Sequence, residues 1–157
     1  MEKIAVFPGS FDPFTIGHED IVRRALPLFE RIYIAIGTNS TKESFFSLEQ
    51  RMTWINEVFE KNPKIIVEEY KGLTIDFCKK IGAKYLLRGL RTAPDFEYER
   101  AIAQLNRSLN PEIETIFLIS APEHSAISSS IVREIIKHGG DASKFLANSH
   151  GLRSYKK

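Results

Sequence analysis

The chain of 157 residues contains a single cysteine, Cys78. It therefore cannot form an internal disulfide or build a cysteine-rich metal site. Cys78 falls in a helix-like pattern beside Phe77 and Ile81, which reads as buried packing. Long apolar runs are missing as well; none approaches the ~18 residues of a membrane-spanning helix. No basic-then-apolar leader precedes the first strand pattern. The expectation is a cytoplasmic protein with no membrane partner. Charge of one sign is scarce: 22 Lys+Arg against 20 Asp+Glu leave a net +2, too mild to call for a nucleic-acid partner. Two familiar phosphate loops, G-x-G-x-x-G and G-x-x-x-x-G-K-[ST], are absent. Neither a Ser-His-Asp set nor a suitably spaced carboxylate pair is evident.

Hydrophobic residues at 43% and charged residues at 27% suit one soluble domain spanning residues 1–157. Strand and helix patterns alternate throughout. Apolar runs predict strands over 3–7, 31–36, 64–67, 84–87 and 112–119. Between them, helical spacing predicts helices from about Gly17 to Phe29, from the capping box Ser47-Leu48-Glu49-Gln50, after Gly72, from Pro94-Asp95, and from the serine triplet Ser128–Ser130. The tail from about Asp141 is weakly patterned, with Phe145 and Leu146 as docking candidates and a frayed end from Ser154. The fold class is α/β: a Rossmann-like, doubly wound parallel sheet of about five strands with helices on both faces.

Ligands in such sheets bind at the carboxyl ends of the strands. That edge collects the residues with chemistry: Ser10, His18, Lys42, Arg88, Arg91 and Ser128–Ser130. The first strand breaks at Pro8-Gly9, and a helix opens at Gly17-His18. Strand, tight loop and helix start form a phosphate site, because the first helical N–H groups are free. Gly17 admits close approach of a ligand, and His18 can donate to a phosphate oxygen. Arg88-Gly89-Leu90-Arg91 sets two guanidinium forks beside a glycine. The bland alternative is a pair of surface arginines paired with Asp95, Glu97 or Glu99. Ser128–Ser130 cap a helix in either reading, and His138 and His150 read as surface residues.

The string Gly9-Ser10-Phe11-Asp12-Pro13-Phe14-Thr15-Ile16-Gly17-His18 resembles the G-[ST]-F-D-P-x-T-x-G-H signature of bacterial phosphopantetheine adenylyltransferases. Its T-x-G-H part is shared by the wider nucleotidyltransferase superfamily. Arg88-Gly89-Leu90-Arg91 and Asp95-Phe96-Glu97-Tyr98-Glu99 match further family strings, and the likeness runs from Lys3 to about Gly140. The resemblance implies that Ser10, Lys42, Thr74 and Arg88 bind the acceptor substrate, 4′-phosphopantetheine. It implies that Ser10, Phe11, His18, Gly89, Leu90, Arg91, Glu99 and the run His124, Ser125, Ala126, Ile127, Ser128, Ser129, Ser130 line the ATP site. In that run His124 replaces the usual Trp or Tyr, and Ala126 stands where Phe is common; His124 is not assigned a catalytic role.

The implied reaction is in-line attack of the 4′-phosphopantetheine phosphate on the α-phosphate of ATP, giving dephospho-coenzyme A and pyrophosphate. His18 would stabilise the transition state, with Mg²⁺ arriving on ATP and no dedicated protein metal site. A homohexamer and feedback by coenzyme A are further implications. Another adenylyl- or cytidylyltransferase of the superfamily, such as one acting on nicotinate mononucleotide, is the alternative enzyme. A nucleotide-sensing module on the same fold is the non-enzymatic alternative.

Overall fold

The structure, a computed structural model, describes residues 1–38, 43–60 and 62–155. Five strands, β1 (Ile4–Gly9), β2 (Arg31–Gly37), β3 (Ile65–Tyr70), β4 (Tyr85–Leu90) and β5 (Glu114–Ile119), form one sheet in the order β3-β2-β1-β4-β5. Every pairing is parallel. The helices that return the chain between strands are α1 (Ile16–Ala25), α2 (Leu48–Val58), α3 (Thr74–Ile81) and α4 (Ala93–Leu109). Beyond β5 come α5 (Ser129–Lys137) and the short α6 (His150–Arg153).

Side chains alternate across β1, and the two faces build two cores. Ala5 and Phe7 join a large cluster with Ile21 and Val22 of α1, Ile55 of α2 and Val132 of α5. Ile4 and Val6 join a smaller one with Ile75, Phe77 and Cys78 of α3. Burial pushes the Cys78 thiol up to about 12, so it packs as a small hydrophobe. The second face is thinly covered: Glu99 is the one buried residue of α4. On α4 the apolar side chains Tyr98 and Leu105 are 69% and 65% exposed. The helical spacing of Ile131, Val132, Ile135 and Ile136 predicts a buried stripe on α5, but Ile131 is exposed.

Strand ends differ from the sequence pattern where polar or small residues continue the ladder. Pro8-Gly9 does not break β1; the two pair with Ala35 and Ile36 of β2. Proline lacks an N–H, but the opposite side of β1 has no partner at this point, so nothing is lost. β3 extends through Glu69 and Tyr70, and β4 carries Arg88, Gly89 and Leu90 inside the strand. β5 begins at Glu114 rather than at residue 112. Helix α1 stops at Ala25, and Pro27 lies in a following 3₁₀ turn, Leu26–Leu28. Gly82 ends α3 in the left-handed region at φ 74°, as its position after the helix suggests.

The C-terminal tail is held much more firmly than its weak pattern implied. Leu146 bridges Thr15, and the Ala147 N–H donates to Phe14 O at 3.3 Å. Buried Glu19 accepts from the Asn148 N–H at 2.7 Å, and Glu57 accepts from Ser149 Oγ and the Gly151 N–H. Tyr155 packs edge-on against Phe46 at 5.0 Å instead of fraying. Leu152 has no exposed surface. Leu152→Ala is expected to destabilise the fold by roughly 2–5 kcal/mol in urea unfolding. A loss below about 1 kcal/mol would mean that the tail stands outside the cooperative core.

Candidate active site

The site begins with a break in the sheet. β1 and β4 pair only at Ala5–Tyr85 and Val6–Leu86. Past that point β1 stays with β2 as far as Gly9–Ile36, and β4 stays with β5 as far as Leu90–Ile119. The two central strands therefore part at the point where the strand order reverses, which is where open α/β sheets form crevices. Arg88 spans the gap. Its Nη1 donates to Pro8 O at 2.6 Å, while Nε and Nη2 grip Glu99 at 2.9 and 2.7 Å.

A cavity of about 320 Å³ occupies the crevice. His18, Arg88, Gly89, Arg91, Ser128 and Ser129 line it, as do Ser10, Phe11, Glu99, His124 and Ile127. Leu90, Ser125, Ala126 and Ser130 are not among its lining residues. Lys42 lies outside the described residues. A neighbouring cavity of about 250 Å³ holds Thr74, whose hydroxyl lies 2.9 Å from that of Tyr70. Pro8, Gly9, Arg88 and Glu99 belong to both cavities, so the Arg88–Glu99 pair stands between them.

His18 is held as part of a helix cap. Thr15 Oγ1 accepts from the His18 N–H at 3.3 Å, and the Thr15 N–H donates to His18 Nδ1 at 3.0 Å. This reciprocal capping box explains why threonine precedes the histidine by three residues. Because Nδ1 accepts, the neutral ring carries its proton on Nε2. Phe14 stacks on the imidazole with 5.2 Å between centroids, and Phe11 meets it edge-on at 5.1 Å. Burial, then the charges of Arg88 and Arg91, lower its pKa to about 3. The group is thus a neutral N–H donor at physiological pH.

Both arginines are paired with carboxylates, as the bland reading expects. Arg88 is fixed by Glu99, while Arg91 uses its N–H and Nε on Asp95 Oδ2 and Nη1 on Ile127 O. Both guanidinium groups nevertheless remain on the cavity wall, about a third exposed at 32% and 38%. The two carboxylates on that wall, Asp95 and Glu99, are therefore already engaged. Among the described residues no group of three His, Cys, Asp or Glu is placed to hold a metal ion. His124 sits with Nδ1 3.8 Å from Asp20 Oδ2 and without a hydrogen-bond partner.

Sequence reasoning passed over four supports of the loop between β1 and α1. Buried Asp12 accepts from the Phe45 and Phe46 N–H groups at 2.7 and 2.9 Å. Buried Arg51 reaches Ser10 O at 2.7 Å. From α5, Ser129 Oγ donates to Pro13 O and Arg133 to Asp12 O, each at 2.8 Å. Asp12 stood inside the signature string, but its donors lie 33 and 34 residues away in sequence; no local pattern marks them. Gly9 has a packing reason that was also missed: a Cβ there would meet the Phe11 ring at 2.9 Å.

The fold and this cavity define a nucleotidyltransferase class. The cytidylyltransferase-like family model matches residues 6–135. A bifunctional NMN adenylyltransferase/ADP ribose pyrophosphatase from Francisella tularensis shares the fold at TM-score 0.71 and 19% identity, over 94% of this chain and 45% of that one. Phosphopantetheine adenylyltransferase from Flavobacterium psychrophilum is 58% identical over 139 residues, 88% of this chain and 91% of the relative. The enzyme of that name from Cytophaga hutchinsonii is 52% identical over 93% of this chain and 97% of its own length. The chain belongs to the phosphopantetheine adenylyltransferase family.

The sign of the His18 shift makes a test. Between its folded value near 3 and the ordinary 6.5, the folded ring stays neutral while the unfolded chain takes up a proton. Stability is therefore withdrawn as pH falls below about 6.5, and the neutral donor itself is lost only near pH 3. NMR of the ring nitrogens is expected to report an unprotonated Nδ1 and protonated Nε2 from pH 8 down to 5. An inflection near pH 6.5 would contradict that assignment.

Proposed function

We propose that this chain transfers the adenylyl group of ATP to 4′-phosphopantetheine, giving dephospho-coenzyme A and pyrophosphate. The observation that carries the mechanism is the parting of β1 and β4, with His18, Arg88 and the start of α5 around one cavity. ATP occupies that cavity, and 4′-phosphopantetheine enters through the adjoining one, past Tyr70 and Thr74. The reacting phosphates meet beside Arg88, which is common to both.

The acceptor phosphate is already a nucleophile, so the site needs no strong base and no covalent intermediate. What it must supply is position and compensation for charge spreading over the α-phosphate. Nε2–H of His18 donates to that phosphate as the transition state forms. Because the ring is neutral and held by Thr15 and Phe14, it donates without first losing or gaining a proton. Arg88 and Lys42 hold the acceptor phosphate, with Ser10 beside them. Arg91 and the first turn of α5 hold the departing pyrophosphate. Phe11, Gly89, Leu90, Glu99 and the segment 124–130 shape the rest of the nucleotide site.

The donor set suits Mg²⁺ that arrives on ATP through phosphate oxygens and water, since Asp95 and Glu99 are already paired with arginines. When bound it neutralises phosphate charge. The reaction takes place in the cytoplasm, and no helix among the described residues is long and apolar enough to cross a membrane. Coenzyme A shares the pantetheine and adenylate parts of the product and inhibits by occupying the same two cavities. The nicotinate mononucleotide alternative is not favoured by the relatives that carry most of this chain.

The active form is a homo-oligomer, a hexamer by family likeness. The exposed apolar face of α4, with Tyr98, Leu105 and Leu109, is the support for an interface between copies. Leu105→Glu is expected to reduce the mass seen by sedimentation, and an unchanged mass would remove this face from the interface.

Pyrophosphate release from ATP is expected with 4′-phosphopantetheine and not with nicotinate mononucleotide; the reverse result would overturn the assignment. His18→Ala is expected to lower kcat by roughly 10²–10³ with little change in KM, as for the loss of one oxyanion donor. A folded variant of near-normal kcat would take His18 out of the mechanism.

A further inference from the structure

Four carbonyls of the loop from Ser10 to Phe14 are tied down from outside. Arg51 takes Ser10 O, Arg133 takes Asp12 O at 2.8 Å, Ser129 Oγ takes Pro13 O at 2.8 Å, and the Ala147 N–H takes Phe14 O. Two of these four donors come from α5, from its first residue and from one turn further on. Arg133 also reaches back to Ser130 Oγ at 3.2 Å.

The same contacts sort the serine triplet. Ser128 Oγ accepts from the Ile131 N–H as the helix cap, and Ser130 Oγ accepts from Arg133. Both therefore keep their own hydroxyl protons, and that of Ser128, on the cavity wall, is left for a ligand. Ser129 is different. Its hydroxyl has one proton, and that proton is given to Pro13 O. At this position the group left for an anion is the backbone N–H, free at the start of the helix.

The loop segment so held carries two supports of the imidazole. Phe14 stacks on the His18 ring, and the Thr15 N–H binds Nδ1. We propose that Ser129 and Arg133 are positioning residues, which act through the segment from Asp12 to Thr15 to aim His18 and do not bind substrate phosphate with their side chains. The proposal rests on the reading of His18 as the transition-state donor. A hydroxyl lost at residue 129 releases Pro13 O, lets Phe14 and Thr15 shift, and turns Nε2–H off the α-phosphate. Ground-state ATP binding is spared, because the backbone amide of residue 129 remains.

Steady-state kinetics on the full chain tests this, with Ser129→Ala, Arg133→Met and Arg133→Lys each made in the wild-type and His18→Ala backgrounds. In the wild-type background Ser129→Ala and Arg133→Met are expected to lower kcat roughly tenfold, the scale of one lost hydrogen bond. KM for ATP is expected to stay within about twofold. Arg133→Lys, which can still donate to Asp12 O, is expected to recover most of the loss. In the His18→Ala background the same changes are expected to cost nothing further, because the group they aim is gone.

A rise in KM for ATP at unchanged kcat would make the Ser129 hydroxyl a phosphate ligand and overturn the proposal. Equal losses in both backgrounds, or no loss in either, would overturn it too. A His18→Ala chain of normal kcat would sink the reading of His18 and this inference together, whereas a slow His18→Ala chain with additive losses would sink the inference alone. Should Ser129→Ala fail to fold, Arg133→Lys against Arg133→Met carries the same comparison.

Discussion

The constraint from which the site follows is that two central strands stop pairing before they end. A parallel sheet must satisfy each backbone group it buries. Past Val6 and Leu86 that duty passes from the ladder to a side chain, and Arg88 supplies a donor to Pro8 O across the opened gap. Proline at residue 8 fits this arrangement, since a residue without an N–H leaves no donor unpaired on the open side. The guanidinium that seals the gap also forms the wall between two cavities. The structural tie and the cavity wall thus fall on one residue, and Glu99 keeps it from swinging into the cleft.

Much of this was legible in the chain. The alternation of apolar runs and helical patterns led to the five-strand doubly wound sheet, because the side-chain period is a local property. The signature around Gly9 to His18 marked the loop, and Thr15 three residues before His18 is a local capping pattern. What escaped notice was non-local. The extension of β4 through Arg88 depends on pairing with β5, which no run of polar residues announces. Asp12, Arg51 and Arg133 act across 33, 41 and 121 residues of sequence. The tail looked weakly patterned, with Leu146 a docking candidate, because it contributes single buried residues such as Leu146 and Leu152 to a core built elsewhere, without a period of its own. On helix α4 the apolar side chains Tyr98, Leu105 and Leu109 stay exposed, which helical spacing alone does not announce.

Electrostatics in the cavity differ from what two arginines and a histidine suggest at first sight. Each arginine is already balanced by a carboxylate, and the imidazole is neutral. The site is therefore not a pool of free positive charge that would hold any polyanion tightly. Its donors are fixed in direction instead: a ring N–H held by a cap, guanidinium groups held by carboxylates, and backbone N–H groups at a helix start. Such an arrangement favours whichever phosphate geometry meets those directions, and gains little from charge alone. That suits a reaction in which both substrates and both products are anions, because tight binding of the ground state would also slow release.

Preorganisation of this kind moves the demand from the donors to whatever holds them. The His18 ring is kept in place by three aromatic neighbours, a capping threonine and a loop whose carbonyls are bound by α2, α5 and the tail. Phe11 adopts a left-handed φ of 49° in that loop, a conformation that a phenylalanine enters only when its surroundings require it. The return is the packing of its ring under Gly9 and against the imidazole. Removal of a support therefore need not unfold the molecule to be felt at the phosphorus atom. A small rotation of one ring suffices, since a hydrogen bond weakens steeply once its donor is turned away from the acceptor. On the proposed reading of His18, rate should consequently respond to residues far from either substrate, while affinity for ATP responds less.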